Sequence, residues 1–135
     1  MMKRIYHGSC HCGEVTYETD IDLSAGTFRC NCSICLKKRN WLAVAMPDDF
    51  RLLSGEEKLG EYQFGPHKLH HLFCANCGVS SFGWGESEGL GGKFYAIAVN
   101  CLDDASPEEL ASAPIAFIDG RHDRFDKVPA ETGHL

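Results

Sequence analysis

The chain has 135 residues, 44% of them hydrophobic and 24% charged, and a formal net charge of −6. That length suits one domain with a real core, not two large ones, so residues 1–135 are expected to form a single domain. The acidic balance argues against a general nucleic-acid binder, which presents a basic face.

The opening segment Met1-Met2-Lys3-Arg4-Ile5-Tyr6-His7-Gly8 has basic residues but no apolar stretch behind them, unlike a secretory signal. No run approaches the length that crosses a bilayer. The expectation is a cytosolic protein with no membrane or nucleic-acid partner, in which thiols stay reduced. Nothing in the sequence sets an oligomeric state.

Taken in order, 3–8 and 14–19 read as short strands, the second alternating polar and apolar residues. The link between them carries Cys10-His11-Cys12 bracketed by glycines. After a polar connection over 20–26, a strand over 27–30 leads into Cys30-Asn31-Cys32-Ser33-Ile34-Cys35. Ser33 is the expected N-cap of a helical turn through Cys35 to Lys38. The apolar run 41–46 reads as a buried strand ended by Pro47, and 50–53 as another closed by Ser54-Gly55.

Segments 59–64 and 68–73 alternate and deliver the chain to Cys74-Ala75-Asn76-Cys77-Gly78. A strand is expected over 79–84, a glycine-rich loop over 85–92 and a strong strand over 93–99. Ser106-Pro107-Glu108-Glu109 opens a short helix, and the tail beyond it reads as mostly irregular. Many short strands between turn signals give an all-β, mainly antiparallel domain with minor helical turns.

Seven of the eight cysteines fall in those three clusters, and reduced thiols so close together point to a soft cation, zinc above all. The spacing leaves the partition open. Cys10, Cys12, Cys74 and Cys77 together close one tetrahedral site, which leaves Cys30, Cys32 and Cys35 a second zinc lacking a fourth protein ligand. The flanking glycines and strands favour that split. One zinc with spare cysteines, or two sites sharing ligands, stand as alternatives. Cys101, after Val99-Asn100, reads as a small buried hydrophobe, although it and His11 are the residues that could close the second site.

These clusters, with Leu53-Ser54-Gly55, Asn100-Cys101-Leu102-Asp103 and Asp119-Gly120-Arg121, resemble the glutathione-dependent formaldehyde-activating enzyme family over nearly the whole chain. The resemblance implies a β-tent fold of small sheets held by zinc. It also implies a structural zinc on Cys10, Cys12, Cys74 and Cys77, and a more labile one on Cys30, Cys32 and Cys35. The activity it implies is addition of glutathione to formaldehyde, giving S-hydroxymethylglutathione, by a zinc-dependent carbon–sulfur lyase. An enzyme of the same fold for another small electrophile, and a non-catalytic zinc module for protein binding, are the alternatives.

Zinc favours deprotonation of a bound thiol, and the Lys37-Lys38-Arg39 run beside the central cluster suits the carboxylates of glutathione. Against this stands the ordinary reading of such a run as a solvated helix face. Arg121 is a further substrate-binding candidate. His67, His70 and His71 precede the third cluster; on a regular strand His70 and His71 point to opposite faces, so at most one of them meets the site. Each of these, and His122, reads first as a packed or surface histidine. Trp41, Phe82 and Trp84 read as core.

Overall fold

The computed structural model describes residues 3–135; Met1 and Met2, counted in the single-domain expectation, lie outside them. Ten strands alternate with two short helices and several 3-10 turns: β1 (Arg4–Ser9), β2 (Thr16–Ile21), β3 (Thr27–Cys30), α1 (Ser33–Lys38), β4 (Leu42–Ala45), β5 (Phe50–Ser54), β6 (Leu59–Tyr62), β7 (Leu69–Cys74), β8 (Phe82–Ser87), β9 (Gly92–Ala98), α2 (Pro107–Ser112) and β10 (Ile115–Ile118). A three-stranded sheet has the order β1-β2-β5, and a seven-stranded sheet the order β10-β3-β4-β9-β8-β7-β6. The all-β, mainly antiparallel architecture is as the sequence indicates, although the second sheet is larger than the small sheets expected.

The core lies where the two sheets face each other. In β2, alternate residues Tyr17, Thr19 and Ile21 turn inward and are buried, as a strand's two-residue period dictates. Tyr17 stacks on Phe50 of β5 with centroids 5.3 Å apart, and Phe50 stacks on Tyr95 of β9 at 4.1 Å. Phe82 of β8 closes this aromatic group, as its reading as core requires. The Tyr17 hydroxyl is satisfied by donating to the Ser81 carbonyl at 3.0 Å, so the ring is buried without stranding a polar atom.

Helix α2 begins with the expected capping box. Ser106 accepts from the Glu109 amide, and Glu109 accepts from the Ser106 amide. The same carboxylate accepts from Arg4 at 3.0 Å and Tyr6 at 2.6 Å, which fastens the helix to β1.

Several expectations need correction. Cys32, not Ser33, is the N-cap of α1: its backbone is extended (φ −62°, ψ 166°) while Ser33 is already helical. The strand expected over 79–84 starts only at Phe82, because Val79 and Ser80 are occupied in folding back on the preceding strand; the Cys74 amide donates to the Val79 carbonyl and the Ser80 hydroxyl to the Leu72 carbonyl. The expected loop 85–92 is mostly hairpin, with Gly85 opposite Phe94 and Ser87 opposite Gly92, and only Glu88–Leu90 forms a turn.

The tail is mostly irregular, as expected, but it contains one strand that was not. Strand β10 pairs with β3 in parallel, Ile115 opposite Thr27 and Ile118 opposite Cys30. No local signal marks so short a strand, since its partner lies almost ninety residues earlier in the chain. The strands expected over 14–19 and 59–64 are also displaced or shortened, to Thr16–Ile21 and Leu59–Tyr62. Val15 is used in the first cysteine turn instead, accepting from the Cys10 amide at 3.0 Å.

Candidate metal centres

The first centre joins two turns. Cys10 and Cys12 follow β1, and Cys74 and Cys77 lie at and beyond the end of β7. Each pair is followed by a glycine with a left-handed backbone, Gly13 (φ 82°) and Gly78 (φ 80°), a conformation that other L-residues adopt at a cost. In each turn the glycine amide donates back to the first cysteine's carbonyl, Gly13 to Cys10 at 3.3 Å and Gly78 to Cys74 at 2.7 Å. That curl leaves other amides free to face sulfur, and Val15 donates to Cys10 Sγ at 3.3 Å. The amides of Val79 and Cys12 draw the Cys77 thiol down to about 6, favouring the thiolate a metal needs.

The four Sγ atoms lie within 4.8 Å of one another, Cys10 to Cys12 at 3.6 Å and Cys12 to Cys74 at 3.7 Å. Four sulfurs at ordinary Zn–S distance around a tetrahedral zinc stand about 3.8 Å apart. All four cysteines are free, and the separations are far beyond a disulfide bond of about 2 Å. The group therefore fits a tetrahedral zinc.

The second centre is Cys30 at the end of β3, Cys32 at the N-cap of α1 and Cys35 within α1, with the three Sγ atoms again within 4.8 Å. Among the described residues no fourth Cys, His, Asp or Glu joins them; neither His11 nor Cys101 is in the group. The Cys32 amide donates to Cys30 Sγ at 3.4 Å and Asn40 Nδ2 to Cys35 Sγ at 3.5 Å. Cys32 is held far below an ordinary thiol by the neighbouring Cys30 and Cys35 thiols, with the Cys35 and Ile34 amides of the helix start adding to the effect. The donor set of the trio suits a soft cation.

The wall of this centre comes from the far end of the chain. Asn31, buried between two of the cysteines, donates through Nδ2 to Asp119 Oδ1 at 2.9 Å and accepts at Oδ1 from the Arg121 amide at 2.9 Å. Asp119 is held below the usual carboxylate range by Asn31 first and by His122 second. Gly120 is thereby pressed onto the sulfurs, so that a Cβ there would stand 2.5 Å from Cys30 Sγ.

A profile of the glutathione-dependent formaldehyde-activating enzyme family matches residues 5–118. The chain belongs to that family. A Rhodobacter sphaeroides protein, whose crystal structure was solved as a structural-genomics target, is 32% identical, with a TM-score of 0.68; the match covers 82% of this chain and 99% of that one. The formaldehyde-activating family uses glutathione as its thiol, so its chemistry is sought where a thiol and a small carbonyl can meet. Among the described residues no helix is long and apolar enough to cross a membrane.

In this family member the basic run divides. Lys37 is exposed. Lys38 and Arg39 are exposed too, but Lys38 donates to Ser80 Oγ at 2.9 Å, where desolvation of the ammonium lowers its pKa and the nearby Cys35 and Cys101 sulfurs oppose that shift. Arg39 caps α1 in the left-handed region (φ 49°) and donates through Nε to the Leu135 carbonyl at 3.3 Å. Arg121 is exposed at the wall of the second centre.

The histidines separate as β7 alternation requires. His70 stacks on Trp84 at 3.6 Å and places Nδ1 3.1 Å from Glu61. His71 lies on the other face against Phe64, with its Nε2 buried and without a partner. His67 sits in a turn (φ 58°), and His122 pairs with Asp119 at 2.9 Å. Trp84 and Trp41 are half-buried against the core rather than within it, and Trp41 donates to Thr27 Oγ1 at 2.7 Å. Burial pushes the Cys101 thiol up, in keeping with a packed residue.

Asn31, Asn40, Ser80 and Gly120 are the functional neighbours that the sequence reading missed as individuals. Gly120 alone carried a signal, through its place in the Asp119-Gly120-Arg121 motif.

Proposed function

We propose that the chain catalyses addition of the glutathione thiol to formaldehyde, and the reverse cleavage of S-hydroxymethylglutathione, as a zinc-dependent carbon–sulfur lyase. The observation that carries this is the pairing, in a member of this family, of a complete four-sulfur group with a separate three-sulfur group. Cys10, Cys12, Cys74 and Cys77 would hold a structural zinc, and Cys30, Cys32 and Cys35 the catalytic, more labile one. Bound there, zinc would supply a lowered thiol pKa, so that thiolate is present near neutral pH.

The chain's own residues then bind and orient. Lys37 and Arg121, exposed beside the second centre, pair with the glutathione carboxylates. Lys38 and Arg39, first grouped with them, are committed to Ser80 and Leu135, so their contribution is to place α1. Gly120 and Asn31 keep the wall closed on one side of the sulfurs. The unit of function is residues 1–135 as one domain, and the reduced state of its thiols suits the cytoplasm.

Zinc stoichiometry with and without glutathione, on the native chain and on Cys32→Ser, tests this reading. Two zincs falling to one with the fold retained, and activity lost, is the expected result. Loss of folding would place Cys32 in the structural centre and overturn the division.

A further inference from the structure

Resting on that reading of the second centre, we propose that Phe125 is a specificity residue of the three-sulfur group, an apolar platform for the carbon that carries the substrate thiol. No other aromatic side chain among the described residues is so exposed, at 69%. Its place decides what that exposure means. A Cβ on Gly120 would stand 2.5 Å from Cys30 Sγ and 3.6 Å from Phe125 Cε1. Laid end to end, those distances put the edge of the ring no more than about 6 Å from the sulfur. A scattered surface phenylalanine needs no function, but this one borders the three sulfurs.

The backbone holds the ring there without burying it. Asp119 and Arg124 form an isolated antiparallel bridge, in which the Arg124 amide donates to the Asp119 carbonyl at 2.9 Å. The Asp119 amide donates to the Lys127 carbonyl at 3.0 Å, and the Asp123 amide closes the inner turn onto the Gly120 carbonyl at 3.1 Å. Asn31 ties the start of this loop to the cysteines. Phe125 therefore sits on a segment fastened at both ends, and a ring fixed in advance loses little freedom when a ligand covers it. Apolar surface held in water is a standing cost, which a ligand relieves by covering it.

The same loop offers the two kinds of group that a thiol such as glutathione needs. Arg121, next to Gly120 and exposed, meets a carboxylate. Phe125 meets the methylene that bears the sulfur and, in the adduct, the hydroxymethyl carbon as well. Glutathione has that pattern, a short apolar segment between charged arms, whereas water and inorganic sulfide do not. The contact is made equally before and after the carbon–sulfur bond forms, so it acts on binding and not on the chemical step. Covering apolar surface equivalent to one or two methylenes corresponds to roughly tenfold in affinity.

The test is calorimetric titration of glutathione into the zinc-loaded native chain, Phe125→Ala and Phe125→Leu, beside metal analysis and thermal unfolding. Phe125→Ala should bind glutathione roughly tenfold more weakly with zinc content and Tm unchanged, and Phe125→Leu should recover most of the loss. In cleavage of S-hydroxymethylglutathione the alanine variant should raise KM by a similar factor and keep its kcat. Native affinity in Phe125→Ala overturns the proposal. So does a loss that comes with zinc leaving the three-sulfur centre or with a lower Tm, since the ring would then serve to cover the cysteines. A fall in kcat at unchanged KM overturns it as well. A native chain that binds no glutathione sinks both the proposed function and the role of Phe125. One that binds glutathione without interconverting free and thiol-bound formaldehyde sinks the lyase alone, and an active native chain with unaffected variants sinks only the role of Phe125.

Discussion

Substituting Gly120 by alanine adds one methyl group at the tightest point of the second centre. The new Cβ would lie 2.5 Å from Cys30 Sγ and 3.3 Å from Cys32 Cβ, the first about 1 Å short of ordinary contact. Gly120 is not among the glycines with a left-handed backbone, so alanine brings no torsional penalty and the effect is steric alone. Neither side yields easily: Cys30 is fixed at the end of β3, and the Gly120 backbone is pinned through Asp119 and Arg121 to Asn31. Overpacking of this kind costs about 1–3 kcal/mol, which for a domain of this size corresponds to a fall in Tm of roughly 3–15 °C. If instead the sulfurs move, they spread beyond the geometry that a tetrahedral metal requires. Gly120→Ala is therefore expected to lose zinc from the three-sulfur centre while keeping it at the four-sulfur centre, read by metal analysis beside thermal unfolding. A variant with two zincs of native affinity and an unchanged Tm would refute the placement of Gly120 against the cysteines.

Asn31→Ala removes both bonds to the 119–121 segment and should cost about 1–3 kcal/mol in urea unfolding; Asn31→Asp should be worse for metal retention, because its carboxylate would face that of Asp119. Alanine at Lys37 or Arg121 should raise KM for glutathione about two- to five-fold, the scale of an exposed ion pair, whereas Arg39→Ala, whose guanidinium is spent on Leu135, should lower stability and leave KM unchanged. Equal KM effects at all three positions would contradict that division. Glu109 is held down to about 2 from 4.5 by Arg4 first, then by Tyr6 and the Ser106 amide. A carboxyl depressed by folding adds stability that is complete above its unfolded pKa and is lost as pH falls from about 4.5 toward 2. Glu109→Gln should accordingly show a shallower drop in urea midpoint between pH 5 and pH 3 than the native chain, and parallel curves would show that Glu109 plays no part in the acid response.

What the sequence made legible was local. The cysteine turns announce themselves because Cys10, Cys12 and Gly13, or Cys74, Cys77 and Gly78, need only their own neighbours to curl around sulfur. The inward face of β2 is legible for the same reason, as strict alternation over six residues. The wall of the second centre was not, because Asn31 and the 119–121 segment meet across roughly ninety residues and neither end signals the other. Strand β10 escaped notice on similar grounds, being four residues long and stabilised by a partner that no turn connects to it. The basic run misled for a different reason. Charge is visible in a sequence, but which of Lys37, Lys38 and Arg39 finds a hydrogen-bond partner depends on where helix α1 stops, and its left-handed end at Arg39 is an outcome of packing.

The parallel pairing of β10 with β3 has a consequence for the order in which the protein is made. A ribosome releases the chain from its first residue onward, and Cys77 completes the four-sulfur group while β10 and the 119–121 segment are still to be synthesised. With zinc at both groups, as proposed, the nascent chain would acquire its first metal early, whereas the three sulfurs would stay uncovered on one side until roughly the last sixth of the chain emerges and docks. Loading of the second centre would thereby be tied to completion of the polypeptide, and a prematurely ended product would carry a sound first centre beside an unguarded trio of thiols.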